Sequence, residues 1–273
     1  MIELPESRCL ADQLIKILKG KTILNVTVNK SPHKFVFFHG DPEGYYAKLA
    51  GKTVTGSDAF GGMAELQCED LNLVFFDGIN IRYHYAGDPI PDKHQLHIEF
   101  DDSTSITGSV QMYGGILALE KNEEHGFYNS SKYKIKPLQS EFTESYFDNL
   151  MKNSKQNLSA KAFLATEQRI PGLGNGVLQD ILFNAKINPR RKIETLSDNE
   201  KQILYNSVIQ TLAEMTAGSG RDTEKDIFGV NGGYITKLSA KTKDKPCPVC
   251  GNAITREAYL GGNVYYCTTC QKL

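Results

Sequence analysis

The 273-residue chain has no tryptophan, no internal repeat and no low-complexity tract. No stretch approaches the ~20 consecutive apolar residues that a membrane-crossing helix requires. The first residues do not pair a basic segment with an apolar one, as a secretory leader would. These absences set the expectation of a cytoplasmic protein with no membrane partner. The 6 histidines are nowhere grouped at metal-ligating spacing and read as structural. A large excess of either charge is missing too: 31 Lys and Arg meet 32 Asp and Glu, a net charge of −1. That excludes a chain basic throughout, but not a basic region. Residues 1–149 carry 14 Lys and Arg against 21 Asp and Glu, a net of −7, while residues 150–273 carry 17 against 11, a net of +6. A basic half is compatible with a polyanion partner and equally with an unevenly charged surface.

The length permits two domains with real cores and a small appendage. Leu10, Leu14, Ile17 and Leu18 put one apolar face on a helix that starts near Pro5 and ends at Gly20. From Thr22 to about Lys136, short β-branched and aromatic runs such as "KFVFFHG" and "LNLVFFDG" are separated by turns, which predicts a β-sandwich or barrel. From Glu141 the period becomes helical. Helices are expected over "FTESYFDNLMKN", over "SAKAFLATEQ" with Ser159 as N-cap, over residues 176–185, and from the capping box Ser197/Glu200 to near Gly218. A polar linker, "KLSAKTKDKPC", leads into the tail. The expectation is an α+β multidomain chain: an N-terminal helix plus β-sandwich over 1–136, a helical domain over 137–236 and a small C-terminal module over 237–273.

That module carries Cys247, Cys250, Cys267 and Cys270, two C-x2-C pairs with sixteen residues between them. Each pair bends the chain so that two thiolates reach one ion, and a hairpin joins the pairs. Four thiolates close a tetrahedron, so the site is a structural one for a single zinc ion. A segment this short has too little core to fold alone, and the metal supplies its folding energy. Two disulfides would be the alternative in an oxidising compartment. Cys9 and Cys68 fall outside the pattern and read as buried free thiols.

The segment "IPGLGNG" joins two predicted helices. Its Gly172, Gly174 and Gly176 follow a helix rather than a strand, which argues against a dinucleotide fold. Glycines let backbone approach a ligand, and the free N–H groups opening the next helix face an anion. A tight helix–helix connection is the plainer alternative.

Taken together, "RIPGLGNGVLQDILFNAKINPRRK", the start "MIELPE", the β-rich first half and a zinc hairpin ending "CTTCQK" resemble the formamidopyrimidine-DNA glycosylase and endonuclease VIII family, whose central domain is a helix-two-turn-helix. The resemblance covers nearly the whole chain. It implies a monomer that binds duplex DNA between its two lobes and flips an oxidised base out of the stack. On that resemblance, Gly174 and Asn175 meet backbone phosphate, with Lys161 and Arg221 as further candidates, Tyr113 wedges into the stack, and Lys272 stands for the basic residue of the zinc hairpin. The segment "GSGRDTEKDIFG" resembles the family's mobile loop. The family's nucleophile is the amine of a proline at position 2, exposed by removal of Met1, and the next residue is a catalytic glutamate supported by a second one.

This chain departs there. Ile2 replaces the proline, followed by Glu3 and Glu6, and a bulky second residue predicts that Met1 stays. Met1 then carries a primary amine one residue further out. Gly61 or Gly62 falls where the family has a catalytic lysine, and Ile79, Gln111 and Tyr113 fall where it has the side chains that fill the gap left by the flipped base. Two readings follow: a DNA glycosylase with lyase activity using Met1, Ile2, Glu3 and Glu6 as the catalytic segment, or a degenerate member that grips damaged or bent DNA without base excision. A third, a zinc-ribbon protein with a partner other than DNA, draws only on the acidic first half.

Overall fold

A computed structural model describes residues 1–273. The chain opens with helix α1 (Leu4–Leu18), followed by strands β1 (Ile23–Val28) and β2 (Val36–Phe38), a short helix α2 (Tyr45–Leu49), and strands β3 (Val54–Phe60), β4 (Met63–Cys68), β5 (Leu71–His84), β6 (Leu96–Phe100) and β7 (Ser105–Glu120). All the strands join one sheet in the order β1-β6-β7-β5-β4-β3, with β2 parallel to β7. The sequence suggests many short strands, yet β5 and β7 span 14 and 16 residues and pair over most of that length. Their first and second halves contribute to one core, where α1 residues Leu10, Leu14 and Leu18 meet Leu73, Phe75, Ile81, Ile98 and Ile116. A bulge between Asp77 and Ile79 bends the pair. The run "LVFF" looks continuously apolar because it is buried on both faces: Phe75 enters the main core, while Val74 and Phe76 join Met63, Leu117, Leu119 and Tyr128 on the other side.

Tyr128 belongs to α3 (Gly126–Tyr133), which, like α2, lies inside the stretch read as β from the sequence. Helices of 5 and 8 residues show at most about two turns of period, too little to stand out against β-favouring neighbours.

The helical half contains α4 (Glu144–Lys152), α5 (Ala160–Ala165), α6 (Val177–Asn184) and α7 (Asp198–Ala217). Local caps set their starts as expected. Ser159 Oγ accepts from the Ala162 N–H, and Ser197 and Glu200 form a reciprocal capping box. Phe147, Phe163, Leu178, Ile181, Leu182, Leu204, Val208 and Leu212 share a second core, and Leu4 of α1 reaches into it. The tail forms the hairpin β8 (Thr255–Tyr259) and β9 (Gly262–Tyr266). No helix is long and apolar enough to cross a membrane.

The two large lobes meet through two glycine turns. Gly61 and Gly62 form the β3–β4 turn, and Gly172 lies in the turn before α6. Leu4 N–H donates to Gly172 O at 2.9 Å, and Ser7 Oγ–H donates to Gly61 O at 2.6 Å. Gly172 has φ +80°, and a Cβ there would stand 2.4 Å from the Gly61 carbonyl carbon. Replacing Gly172 with Ala is therefore expected to destabilise the protein by at least about 1–3 kcal/mol, from backbone strain before any steric term. Denaturant unfolding measures this, and an unchanged midpoint contradicts the packing described.

Candidate active site

A cleft of about 370 Å³ lies where the lobes and the tail hairpin converge. Met1, Ile2, Glu3, Gly62, Asp77 and Tyr113 line it from the sheet lobe, Lys161 and residues 172–175 from the helical lobe, and Leu260, Gly261 and Gly262 from the hairpin.

Glu3 is the pivot. Its side chain is buried, and its two oxygens accept the N–H groups of Gly176 at 2.8 Å and Val177 at 2.7 Å, at the start of α6. The anion that the sequence assigned to this turn is thus, for these two donors, a carboxylate of the protein itself. The helix dipole favours it there. Close approach explains two of the glycines: a Cβ at Gly174 would stand 2.7 Å from the Glu3 carboxyl carbon, and one at Gly176 would stand 1.5 Å from Arg221 Nη1. Burial pushes the Glu3 pKa up and outweighs Arg221 and the two N–H donors, which pull it down.

Arg221 corrects the sequence reading. It is not a phosphate contact, because only 3 % of it is exposed. Its Nε and Nη2 donate to Glu6 at 3.0 and 2.8 Å, its backbone N–H donates to Glu6 at 3.0 Å, and Nη1 lies 3.6 Å from Glu3. Burial alone would raise the Glu6 pKa, but the Arg221 charge and hydrogen bonds hold it below the ordinary value. A single glycine-flanked arginine in a polar loop gives no sequence signal that its partners lie more than 200 positions away.

Ile2 also has a different role from the one assigned. It is a core residue, and its backbone N–H donates to Asp77 O at 2.6 Å. An amide nitrogen engaged in this way is no nucleophile. The free amine belongs to Met1, where it pairs with Glu224 of the segment after α7. That segment, which contains "GSGRDTEKDIFG", is pinned to the sheet lobe: Ile227 enters the main core, Tyr83 N–H donates to Ile227 O at 2.8 Å, and Gln13 Nε2 donates to Asp226 at 2.8 Å. The β3–β4 turn carries no side chain and is tightly packed: a Cβ would meet Gly172 N at 2.8 Å at Gly61, where φ is +58°, and Ile2 O at 3.0 Å at Gly62. No lysine side chain reaches the cleft from there.

The tail hairpin is held in register with the glycine turn. Asn175 Nδ2 and Gln179 Nε2 both donate to Asn263 O, at 3.0 and 3.1 Å, and Tyr265 N–H donates to Gln179 Oε1 at 3.0 Å. The Asn175 amide donor is thereby engaged within the protein. Gly174 and Asn175, whose backbone N–H groups make no hydrogen bond, are among the residues lining the cleft. The Sγ atoms of Cys247, Cys250, Cys267 and Cys270 all lie within 4.8 Å of one another, with pairs at 3.5 and 3.8 Å. Sulfurs bound to zinc at about 2.3 Å in a tetrahedron stand about 3.8 Å apart, so the donor set fits one structural zinc ion.

Lys161 lines the cleft, but its Nζ donates to Tyr259 O at 2.5 Å. Burial lowers its pKa. Lys272 is exposed past the last cysteine and is not part of the cleft. The hairpin tip that does face the cleft carries Leu260, Gly261 and Gly262, with no basic side chain. Ile79 is a core residue, only 3 % exposed, and fills no gap in a duplex. Tyr113 and its neighbour Met112 project from the β7 bulge at the cleft rim. Met112, Asp77 and Glu224 escaped the sequence reading, because a bulge and a packed loop, not a motif, bring them here. Cys68 is buried and Cys9 half-buried; burial pushes their thiols up to about 12 and about 11, away from reactivity.

The formamidopyrimidine-DNA glycosylase H2TH domain model matches residues 134–225, and the zinc finger found in FPG and IleRS matches residues 244–273. The chain is 28 % identical to a formamidopyrimidine-DNA glycosylase of Lactobacillus delbrueckii subsp. bulgaricus over 100 % of both chains. It is 29 % identical to that of Wolbachia pipientis wMel over 99 % of this chain and 100 % of the relative. Among solved structures, a Lactococcus lactis protein in complex with abasic-site DNA superposes with TM-score 0.84 at 23 % identity, covering 99 % of this chain and 100 % of that one.

Two outcomes are expected. Replacing Arg221 with Met leaves buried Glu6 uncompensated and should cost about 3–5 kcal/mol at pH 7. Because the folded Glu6 pKa is depressed, its contribution is complete above the unfolded value of about 4.3 and disappears as pH falls through the folded value. The difference between wild type and variant should therefore shrink below pH 4 in urea titrations. Strong chelators should release one zinc per chain and unfold the hairpin, read by metal analysis and proteolysis around residues 244–273.

Proposed function

We infer that this chain belongs to the formamidopyrimidine-DNA glycosylase family and, from that premise, that it binds damaged or abasic duplex DNA in the cleft and excises an oxidised base, with lyase activity at the resulting site. The carrying observation is one cleft lined by Met1, Glu3, Gly174 and Asn175, the last two with backbone N–H groups that make no hydrogen bond. Amides at a bend grip phosphate without reading sequence, which suits an enzyme that searches for lesions. On this reading residues 1–136 supply the reacting groups, residues 137–236 the phosphate-binding turn, and residues 237–273 a metal-stapled finger that closes the groove. On the same reading the exposed Met112 and Tyr113 at the cleft rim occupy the space vacated by a flipped nucleotide.

In this reading the Met1 α-amine forms the covalent bond to sugar C1′, because Ile2 has only an amide to offer. Glu3 and Glu6, both engaged with Arg221, fix the N-terminal segment against α6. The family-wide similarity supports the enzyme. The bonded Ile2 amide and the side-chain-free turn at Gly61 and Gly62 favour the second reading, a member that binds duplex without excision.

Incubating the protein with abasic duplex and then borohydride is expected to trap a covalent adduct on the Met1 peptide, rather than on Lys161. Duplex binding with neither adduct nor base release would favour the binding-only reading. Absence of duplex binding at low salt would overturn both.

A further inference from the structure

One carboxyl in the cleft is engaged by nothing. Asp77 lines it beside Met1 and makes no side-chain hydrogen bond or ion pair. Glu3 is in the opposite state, with each oxygen accepting a backbone N–H. Glu6 is likewise saturated by Arg221. A group that carries protons between a substrate and solvent needs an oxygen free to exchange partners, and of these three only Asp77 has one.

The backbone is built to present it. Along β5, Phe75 faces the main core and Phe76 the opposite face, so strict alternation would return residue 77 to the core. Instead Asp77 adopts φ +57°, uncommon for a side-chain-bearing residue, and its side chain lines the cleft. The pairing skips from Asp77 opposite Gly114 to Ile79 opposite Val110. Ile2 N–H holds the Asp77 carbonyl, and the Tyr113 carbonyl would lie 2.5 Å from a Cβ on Gly78, so the bulge is fixed on both sides.

We propose that Asp77 is the proton-transfer residue of this active site, serving the Met1 amine, with Glu3 a positioning residue. This rests on the enzymatic reading above. At an abasic site the opened sugar is an aldehyde. The Met1 ammonium first releases a proton to solvent; the neutral amine then adds to C1′, and the carbonyl electron pair moves onto oxygen, which takes a proton from the Asp77 carboxyl. The carboxylate then recovers a proton from nitrogen. It returns that proton to the hydroxyl, which leaves as water and gives the iminium. Burial raises the Asp77 pKa, opposed by the nearby Met1 ammonium, so the carboxyl is shifted toward the protonated form that begins the cycle. Tyr113, Glu3, the Glu224 partner of the amine and Lys161 across the cleft are the other ionisable groups around it.

The test compares wild type with D77N on abasic duplex. Asn tolerates a positive φ about as readily as Asp, so the fold should survive. Wild type should form the borohydride-trapped adduct. D77N should bind the same duplex within about twofold but form adduct at least about a hundredfold more slowly, the scale of a lost general acid–base group. Its rate–pH profile should lose one ionisation, and D77E should recover part of the rate. A D77N protein with wild-type rate and profile overturns the proposal. So does parallel loss of thermal stability, duplex binding and rate, which marks a structural residue. If wild type itself yields neither adduct nor base release, the enzymatic reading fails first and the assignment of Asp77 falls with it. An active wild type with an unaffected D77N removes only Asp77.

Discussion

The Glu3 carboxylate, seated on the first N–H groups of α6, holds the molecule together at its most consequential point. Glu3 opens the sheet lobe, α6 lies in the helical lobe, and Arg221 arrives from the segment after α7. Two acids, one guanidinium and a helix N-terminus share a volume almost free of solvent. In so low a dielectric each charge needs its partner, and removing any of them leaves another exposed to the full desolvation penalty. The lobes therefore meet in one geometry, and the cleft inherits it.

That clamp also explains the glycines. Gly174 and Gly176 have no room for a Cβ, since a carboxylate and a guanidinium occupy the space. Gly172 and Gly61 let two turns touch backbone to backbone. What looks like one ligand-binding loop is in part an internal clamp: two of its donors hold an acid of the protein, and the two residues before them, whose N–H groups make no hydrogen bond, line the cleft. The zinc hairpin is bonded to the same turn through Asn263 and Tyr265, so metal-driven folding of the tail and the shape of the groove are mechanically linked.

The isoleucine at position 2 shapes more than its own surroundings. Ile2 enters the core and bonds to Asp77 through its amide, which carries the free amine outward to Met1 and toward Glu224. The β3–β4 turn packs against the opposite lobe at Gly61 and carries no side chain into the cleft. The N-terminal segment and the β5 bulge are joined by one backbone hydrogen bond, and chemistry at this site has to work through that arrangement.

Features set by a few neighbouring residues were legible in the sequence. The cysteine spacing defined the metal site, Ser159 and Ser197 fixed two helix starts, and the β-branched and aromatic run "LNLVFFDG" marked a strand. Each depends on geometry within roughly one or two turns of chain. The partners of charge were not legible. Arg221 reads as a phosphate candidate until packing brings it to Glu6, 215 positions away, and Ile79 reads as a gap-filling side chain until the sheet buries it. The free Asp77 carboxyl depends on a bulge that no local pattern announces. The sequence by itself determined the helix starts at Ser159 and Ser197 and the four metal ligands, because their energetics are local. Only the tertiary structure decided which acid is clamped, which is free and where the amine stands, because burial and long-range pairing arise when distant segments exclude water together.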